Sequence, residues 1–335
     1  MNSRTTILFT ALSLLAATLF VADIVVGSVN LSVGQVLGSL FGIEADQTVR
    51  TIVIDIRLVK AIMAMCVGVA LSISGLQMQT LFRNPLAGPY ILGVSSGASF
   101  GVALFLLGAP LLGISASPLL SSIGTAGAAW IGAAAVLLLI ISLSKKIKDI
   151  MVILILGMML SSGISAIIEI LQYLSSEAAL KSFVVWTMGS LGDVTTAQLA
   201  LIAPIIVIGV AIAVATIKPL NILLLGEQYA QTSGVNLVRV RAWLFISTTL
   251  LAATVTAFCG PIGFVGIAVP HIARILFASA DHRVLIPASA LIGTAMMLVG
   301  DIISKLLLLQ INTITALMGI PVVVYIVTRN RNMMQ

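Results

Sequence analysis

Residues 221–241 read NILLLGEQYAQTSGVNLVRVR, and this stretch separates two apolar segments that are each long enough to cross a lipid bilayer. Its polar side chains require water or a protein partner, because an unsatisfied polar group in hydrocarbon costs several kcal/mol. Gly226 and Gly234 divide the stretch into two short pieces, which predicts a helix, a turn and a second helix. From these residues alone, a surface gripped by a soluble partner and an ordinary solvated loop are equally good interpretations.

The composition of the whole chain agrees with a membrane protein. Of the 335 residues, 60% are hydrophobic and 8% are charged, whereas soluble domains carry about 25% charged residues. No polar block is large enough for a separate soluble domain, so we predict a single all-α polytopic membrane domain over residues 1–335. The net charge of +6 is not a nucleic-acid footprint, because the basic residues are not clustered with exposed aromatic residues, and no nucleic-acid partner is expected.

The apolar segments predict about ten transmembrane helices, since a helix needs roughly 20 apolar residues to cross a bilayer. We interpret the N-terminal segment as a retained helix, with a cleaved signal peptide as the alternative. The ten segments lie near residues 6–27, 59–82, 90–110, 119–143, 150–173, 197–217, 242–259, 262–277, 284–304 and 313–328.

The basic residues predict the orientation of these helices. With ten crossings and the N-terminus inside, twelve of the 17 Lys and Arg residues fall on the inner side of the membrane, as the positive-inside rule requires. Both termini are therefore predicted to be cytoplasmic, as is the polar stretch 221–241. An odd number of crossings would mix the inner and outer basic residues. Residues 28–56 are predicted to form an amphipathic segment on the outer side.

Glycine and proline interrupt the apolar pattern once in each half of the chain, at residues 83–89 and 259–266. Irregular backbone at membrane depth is tolerated only where protein or a water-filled cavity covers it. Such a pair of segments is typical of an inverted repeat, although close helix packing explains the glycines equally well. Gly68 and Gly75 in the second apolar segment have the spacing of a helix–helix contact.

Several chemical motifs are missing from the sequence. There is no phosphate-binding P-loop, no nucleophile–base arrangement, and no run of acids suited to a proton relay. His271 has no second ligand placed to complete a metal site, and we expect it to bond to backbone. We therefore predict a transporter subunit rather than an enzyme, with no metal and no cofactor of its own. The alternative is an ion-coupled secondary transporter with inverted repeats.

Polar residues in the fifth apolar segment are candidates for lining a transport pathway. An acid near membrane depth must face a pore or a partner, unless it lies at the level of the lipid headgroups. The headgroup level is the alternative for the acid here, since it lies near the end of the segment. The candidate residues are Ser161, Ser162, Ser165, Glu169 and Gln172.

Five stretches together resemble the FecCD-type permeases of binding-protein-dependent ABC importers for iron–siderophore, haem and cobalamin. The resemblance extends from about Arg57 to the C-terminus. The stretches are RLVKAIMAMCVGVALSISGLQMQTLFRNPLAGPYILGVSSGASFG at 57–101, VWTMGSL at 185–191, GEQYAQTSGVNLVRVR at 226–241, CGPIGFVGIAVPHIARILFASADHRVLIPASAL at 259–291 and ALMGIPVVVYIV at 316–327.

The resemblance implies a type II ABC importer permease in the bacterial inner membrane, with ten helices and both termini in the cytoplasm. A second permease copy would complete a homodimer around a central pathway lined by the fifth helix, surrounded by membrane lipid. Two cytoplasmic ATPase subunits would bind ATP and Mg, and a solute-binding protein would deliver the cargo. One departure is the stretch LLQIN at 308–312, where the family often has a Glu-Leu-Pro-Val-Gly turn.

The resemblance also assigns two sets of site residues. The set expected to dock in a cleft of the ATPase is Gly226, Glu227, Gln228, Ala230, Ser233, Gly234, Val235 and Asn236. The set expected to meet acidic groups of the binding protein is Arg57, Lys60 and Lys305. Lysine lacks the two-pronged hydrogen bonding of arginine, so individual pairs at the last two positions are expected to be weaker.

Overall fold

The computed structural model describes residues 3–43, 46–111, 118–147 and 149–331, and every regular element in these ranges is helical. The predicted outer segment 28–56 includes positions 44 and 45, which lie outside the described residues. The helices are α1 (Ser3–Val25), α2 (Val33–Leu40), α3 (Gln47–Thr51), α4 (Val59–Leu81), α5 (Val94–Ala103), α6 (Ala109–Leu111), α7 (Pro118–Lys146), α8 (Ile150–Leu174), α9 (Glu177–Thr187), α10 (Thr196–Ala215), α11 (Ile217–Leu223), α12 (Glu227–Thr232), α13 (Leu237–Cys259), α14 (Val265–Phe277), α15 (His282–Leu307) and α16 (Ile311–Arg331), with π-helical turns at Ile52–Leu58 and Leu104–Gly108.

A helix lies at each of the ten predicted segments, and the all-α membrane fold is confirmed. The structure does not establish that all ten of these helices cross the membrane. By length and composition, seven helices of the described chain can span a membrane: Ser3–Val25, Val94–Leu111, Gly124–Lys146, Ile150–Leu174, Thr196–Ala215, Leu237–Cys259 and His282–Leu307. Of the other three, α4 has 23 residues but is almost wholly buried inside the protein, and α14 and the apolar part of α16 are shorter.

Close contact between backbones holds α4 at the centre of the bundle. A Cβ added to Gly68 would lie 2.3 Å from the Gly293 carbonyl oxygen of α15, and one added to Gly75 would lie 1.8 Å from the Gly266 carbonyl oxygen of α14. Only glycine permits backbones to approach this closely. The small-residue spacing predicted from the sequence therefore marks real helix contacts.

The two Gly/Pro-rich segments are irregular, as predicted, and they meet each other. Residues 82–93 pack against the start of α14, where Pro89 lies next to Gly266. The Tyr90 hydroxyl lies 3.4 Å from the backbone nitrogen of Ile262, and His271 Nε2 lies 2.7 Å from the Pro85 carbonyl oxygen. His271 thus bonds to backbone, as the sequence predicted. Protein covers residues 259–266 and most of residues 87–93, which explains how irregular backbone is accommodated there. Arg83, Pro85 and Leu86 are exposed.

We expect Gly75→Ala to lower the thermal stability of the purified protein in detergent. The added methyl group collides with backbone that cannot rotate away, and overpacking of this kind costs about 1–3 kcal/mol or more. The control is Gly127→Ala, because nothing lies within 4 Å of a Cβ at that position. Size-exclusion chromatography after heating to a series of temperatures gives the unfolding midpoint of each variant. We expect the midpoint of Gly75→Ala to be lower than that of Gly127→Ala. Equal midpoints would contradict the contact.

Candidate functional site

The polar stretch 221–241 folds into a compact helix–turn–helix. The carbonyl oxygen of Ala230 accepts the Val235 N–H at 2.9 Å, and that of Gln231 accepts the Gly234 N–H at 3.0 Å. This is the Schellman arrangement, which places a residue of positive φ just after a helix, and Gly234 has φ +82°. Asn236 then caps α13, its side-chain oxygen accepting the Arg239 N–H at 3.0 Å. The helix–turn–helix predicted from the sequence is confirmed.

We call the exposed face of this unit the coupling surface, after the role that the resemblance predicts for it; it consists of Gln228, Tyr229, Gln231, Thr232 and Ser233. Every one of these side chains is solvent-accessible in the chain, although the surrounding bundle is apolar. The set therefore forms a shaped polar projection of the kind that the sequence suggested.

Beneath the coupling surface, the unit is anchored to the bundle. Ala230 is fully buried, and Glu227 pairs with the buried Arg241 of α13 at 2.7 Å. Arg83, which follows α4, donates a hydrogen bond to the Leu223 carbonyl oxygen at 3.2 Å and so closes the end of α11. Of the predicted coupling residues, Gln228, Ser233, Gly234 and Asn236 are exposed, and Gly226, Glu227, Ala230 and Val235 are buried or half-buried.

The second predicted site lies at the other end of α4 and α15, where we find four charged residues that form the ion cluster. Asp301 of α15 is completely buried and bridges Lys60 at 3.0 Å and Lys305 at 2.9 Å. Lys305 also contacts the Asp23 carboxylate of α1 at 2.9 Å and donates to the Asp23 carbonyl oxygen at 2.8 Å. The sequence predicted the Asp301–Lys305 pair, but it did not identify Asp23 as a partner.

Arg57 lies beside the ion cluster but belongs to a different interaction. Its guanidinium donates to the carbonyl oxygens of Ile24 at 3.1 Å, Val25 at 2.7 Å and Val29. Arg57 therefore satisfies the carbonyl groups at the C-terminal end of α1, which have no partner within that helix. Its residue exposure is only 4%.

The three cations predicted to dock a binding protein thus lie at one end of the bundle, and the chain itself already engages each of them. The side chain of Lys305 is 8% exposed and that of Lys60 is 20% exposed. Lys60 is accordingly the most accessible of the three. Their role in docking stays a prediction.

The candidate pathway residues lie along α8. Ser162, Ser165 and Glu169 are exposed on one helical face, and Ser161 and Gln172 are half-buried beside it. The hydroxyls of Ser161 and Ser162 donate to backbone carbonyls one turn earlier in the same helix. The chain leaves this face uncovered, and its role as a pathway lining stays a prediction.

Within the described ranges, no group of three or more His, Cys, Asp and Glu residues is arranged to hold a metal ion. The buried acids Asp23 and Asp301 are paired with lysine.

Comparison with known proteins identifies the family. The model of the FecCD transport family matches residues 14–329. The chain belongs to the FecCD transport family. The hemin transport system permease protein HmuU of Yersinia pestis is 32% identical over 298 residues, covering 88% of each chain. The molybdate import system permease protein MolB of Haemophilus influenzae is 34% identical, covering 96% of this chain and 94% of its own.

Two further relatives support the same assignment. The vitamin B12 import system permease protein BtuC of Citrobacter koseri is 35% identical over 83% of each chain. A solved structure, described as an inward-facing conformation and assigned to the metal-chelate type of ABC transporter, matches with a TM-score of 0.84 at 30% identity. The match covers 96% of this chain and 99% of that one. The chain is therefore a permease subunit of an ABC importer, which is a transport component rather than an enzyme.

We expect Asp301→Asn to destabilise the protein by about 3–5 kcal/mol, because it removes the carboxylate that separates two lysines in a buried site. The matched control is Asp55→Asn, which makes the same change at an exposed position of the neighbouring segment. Heating curves of the two purified variants in detergent provide the measurement. A midpoint for Asp301→Asn close to that of the control would show that the ion cluster does not support the fold.

Proposed function

We propose that this permease imports a bulky metal chelate across the bacterial inner membrane, driven by ATP that a partner subunit hydrolyses. The observation that carries the proposal is the coupling surface, a rigid polar projection on an otherwise apolar ABC permease. The relatives named for hemin and vitamin B12 support a metal chelate such as iron–siderophore, haem or cobalamin. The relative named for molybdate makes an oxyanion the second candidate cargo.

The proposed assembly contains two copies of this chain, two ATPase subunits and a binding protein. Both chain termini and the coupling surface face the cytoplasm, where the ATPases bind ATP and Mg. The uncovered polar face of α8 lines the pathway between the two copies. The permease itself binds no cofactor in this scheme.

The rigidity of the coupling surface is what suits it to transmit force. Glycines at two positions of positive φ, a Schellman closure and the Glu227–Arg241 pair fix α12 against α13. A flexible loop would absorb the motion of an ATPase, whereas an element with defined packing passes the motion on.

The two buried acids Asp23 and Asp301 do not support the alternative of an ion-coupled secondary transporter. Such a transporter needs acids or carbonyl groups that are free to bind an ion near the middle of the membrane. Asp23 and Asp301 are buried, but Lys60 and Lys305 already pair with them. Membership of an ABC permease family also favours an external source of energy.

The cargo proposal is tested through the cognate binding protein. When it is purified from its host, the binding protein should retain a metal chelate. The chelate is detected by its absorption of visible light, or by elemental analysis for cobalt or iron. If the binding protein retained molybdate instead, the proposed cargo would be an oxyanion, and the assignment of the chain as a permease would not change.

We expect Gln231→Arg to abolish co-purification of the ATPase with the permease, because a long cation would enlarge the centre of the coupling surface. Gln47→Arg is the matched control, since it makes the same change at an exposed position of α3. Pull-down from detergent extracts through a tag on the permease provides the measurement. Normal recovery of the ATPase with Gln231→Arg, together with normal uptake, would contradict the coupling assignment.

We expect Lys60→Ala to weaken capture of the binding protein about two- to fivefold, the range for a partly exposed ion pair, and to reduce the salt dependence of capture. Arg57 is unsuitable for this test because its replacement would leave the end of α1 without hydrogen-bond donors. The control is the exposed Lys181→Ala of α9. Equal affinities for wild type and Lys60→Ala, measured on permease in nanodiscs, would count against docking at the ion cluster.

A further inference from the structure

Asn221 of α11 is held by hydrogen bonds to the segment that begins α15. Its side-chain nitrogen donates to the Asp281 carboxylate at 2.6 Å. Its side-chain oxygen accepts the backbone N–H of His282 at 2.9 Å and lies 2.7 Å from His282 Nδ1. The pKa of Asp281 is lowered by the backbone N–H of Arg283 and by the Asn221 amide, so this carboxylate is ionised at neutral pH.

The contact continues from His282 into α4. The Asn221 oxygen can only accept, so Nδ1 of His282 carries a proton and donates to it. His282 Nε2 lies 2.8 Å from the Thr80 hydroxyl, which also lies 3.0 Å from the Leu76 carbonyl oxygen. His282 is 1% exposed and Thr80 is 5% exposed. One side chain of α11 is therefore connected, through a buried imidazole, to two helices of the core.

A second contact ties the same short helix to α4. The Arg83 guanidinium donates to the carbonyl oxygen of Leu223 at the end of α11. Asn221 and Leu223 are thus fixed on two sides, and α12 with the coupling surface begins only four residues after Leu223. Displacement of the coupling surface must displace α4 and α15 or break these bonds.

The two core helices extend from this junction to the ion cluster. α4 has 23 residues, a length of about 34 Å at 1.5 Å per residue. Thr80 and Lys60 lie near its opposite ends, as His282 and Asp301 do in α15. The Gly68–Gly293 contact holds the two helices together between these ends. A motion imposed at the junction is therefore delivered to the opposite side of the bundle.

We propose that Asn221 is a positioning residue that makes the coupling surface move as one body with α4 and α15. The proposal rests on the proposed function, because it assumes that an ATPase grips the coupling surface. Capping of α15 explains only part of the role of Asn221. Its oxygen accepts the His282 N–H at 2.9 Å, and the Asp281 carboxylate caps the same helix through the Arg283 N–H at 2.9 Å. The amide of Asn221 instead connects two elements that are 60 residues apart in the chain.

The test is a reciprocal exchange in the complete importer, reconstituted with its ATPase and binding protein. Asn221→Asp retains an acceptor for His282 and places two carboxylates against each other at Asp281. We expect the ratio of binding-protein-stimulated to unstimulated ATP hydrolysis to fall about tenfold toward one, within the usual range of coupling between sites. Co-purification of the ATPase should persist, since the coupling surface is unaltered.

Adding Asp281→Asn to that variant exchanges donor and acceptor and should restore the stimulation ratio. The control is Ser279→Ala, which removes the hydroxyl that accepts the Asp281 N–H at 3.1 Å without touching Asn221. A purely structural defect would lower the midpoint of heat denaturation of Asn221→Asp, and the midpoint is therefore measured alongside the ratio.

The outcomes separate this proposal from the function on which it rests. The role of Asn221 is overturned if Asn221→Asp has a normal stimulation ratio. It is also overturned if the ratio falls and the double variant Asn221→Asp with Asp281→Asn does not restore it. Loss of ATPase co-purification in Gln231→Arg supports the coupling surface whatever Asn221 does. Normal co-purification and uptake in Gln231→Arg overturn the proposed function itself.

Discussion

The interior of this protein is organised by one constraint, which is that polar groups removed from water must find partners inside the chain. Backbone groups meet this constraint through helices. The carbonyl groups at the end of α1 meet it through Arg57, and the buried carboxylates of Asp23 and Asp301 meet it through two lysines. The two side-chain solutions each join an element to a distant one, so they also contribute to how the helices are arranged.

The constraint produces a structure with two polar junctions joined by a closely packed pair of helices. One junction contains Thr80, His282 and Asn221, and the other contains Lys60 and Asp301. Between them, α4 and α15 approach through Gly68 and Gly293, where the two backbones are in direct contact. A permease needs this kind of connection, because the partner that supplies energy and the partner that supplies cargo act on opposite sides of the membrane.

The ion cluster changes how the cations predicted to dock a binding protein are understood. A set of cations predicted to lie on the outer face invites the interpretation that all of them await acidic partners. The structure instead shows carboxylates between them, so that the charge offered to a partner is smaller than a count of Arg57, Lys60 and Lys305 implies. Lys305 joins α15 to α1, and Lys60 joins α4 to α15. Lys60 is the cation that offers most exposed surface for docking.

The sequence by itself determined several features that depend on neighbours along the chain. Apolar segments gave the helical membrane fold, glycine and proline gave the irregular segments, and the i,i+4 spacing gave the Asp301–Lys305 pair. Gly226, Gly234 and Asn236 gave the helix–turn–helix of the coupling surface, because positive φ and helix capping are local properties. The acid within the apolar segment of α1 was a usable signal that Asp23 has a partner, although it did not indicate which one.

Only the tertiary structure decided the contacts between distant residues: Asp23 with Lys305, Arg57 with the end of α1, and Asn221 with Asp281 and His282. It also showed that α4 is enclosed by other helices, so that length and apolar composition do not count crossings securely. The physical reason is that an apolar segment specifies a helix but not its neighbours. Which polar groups meet is decided when helices pack, by shape and by the cost of leaving any of those groups unpaired.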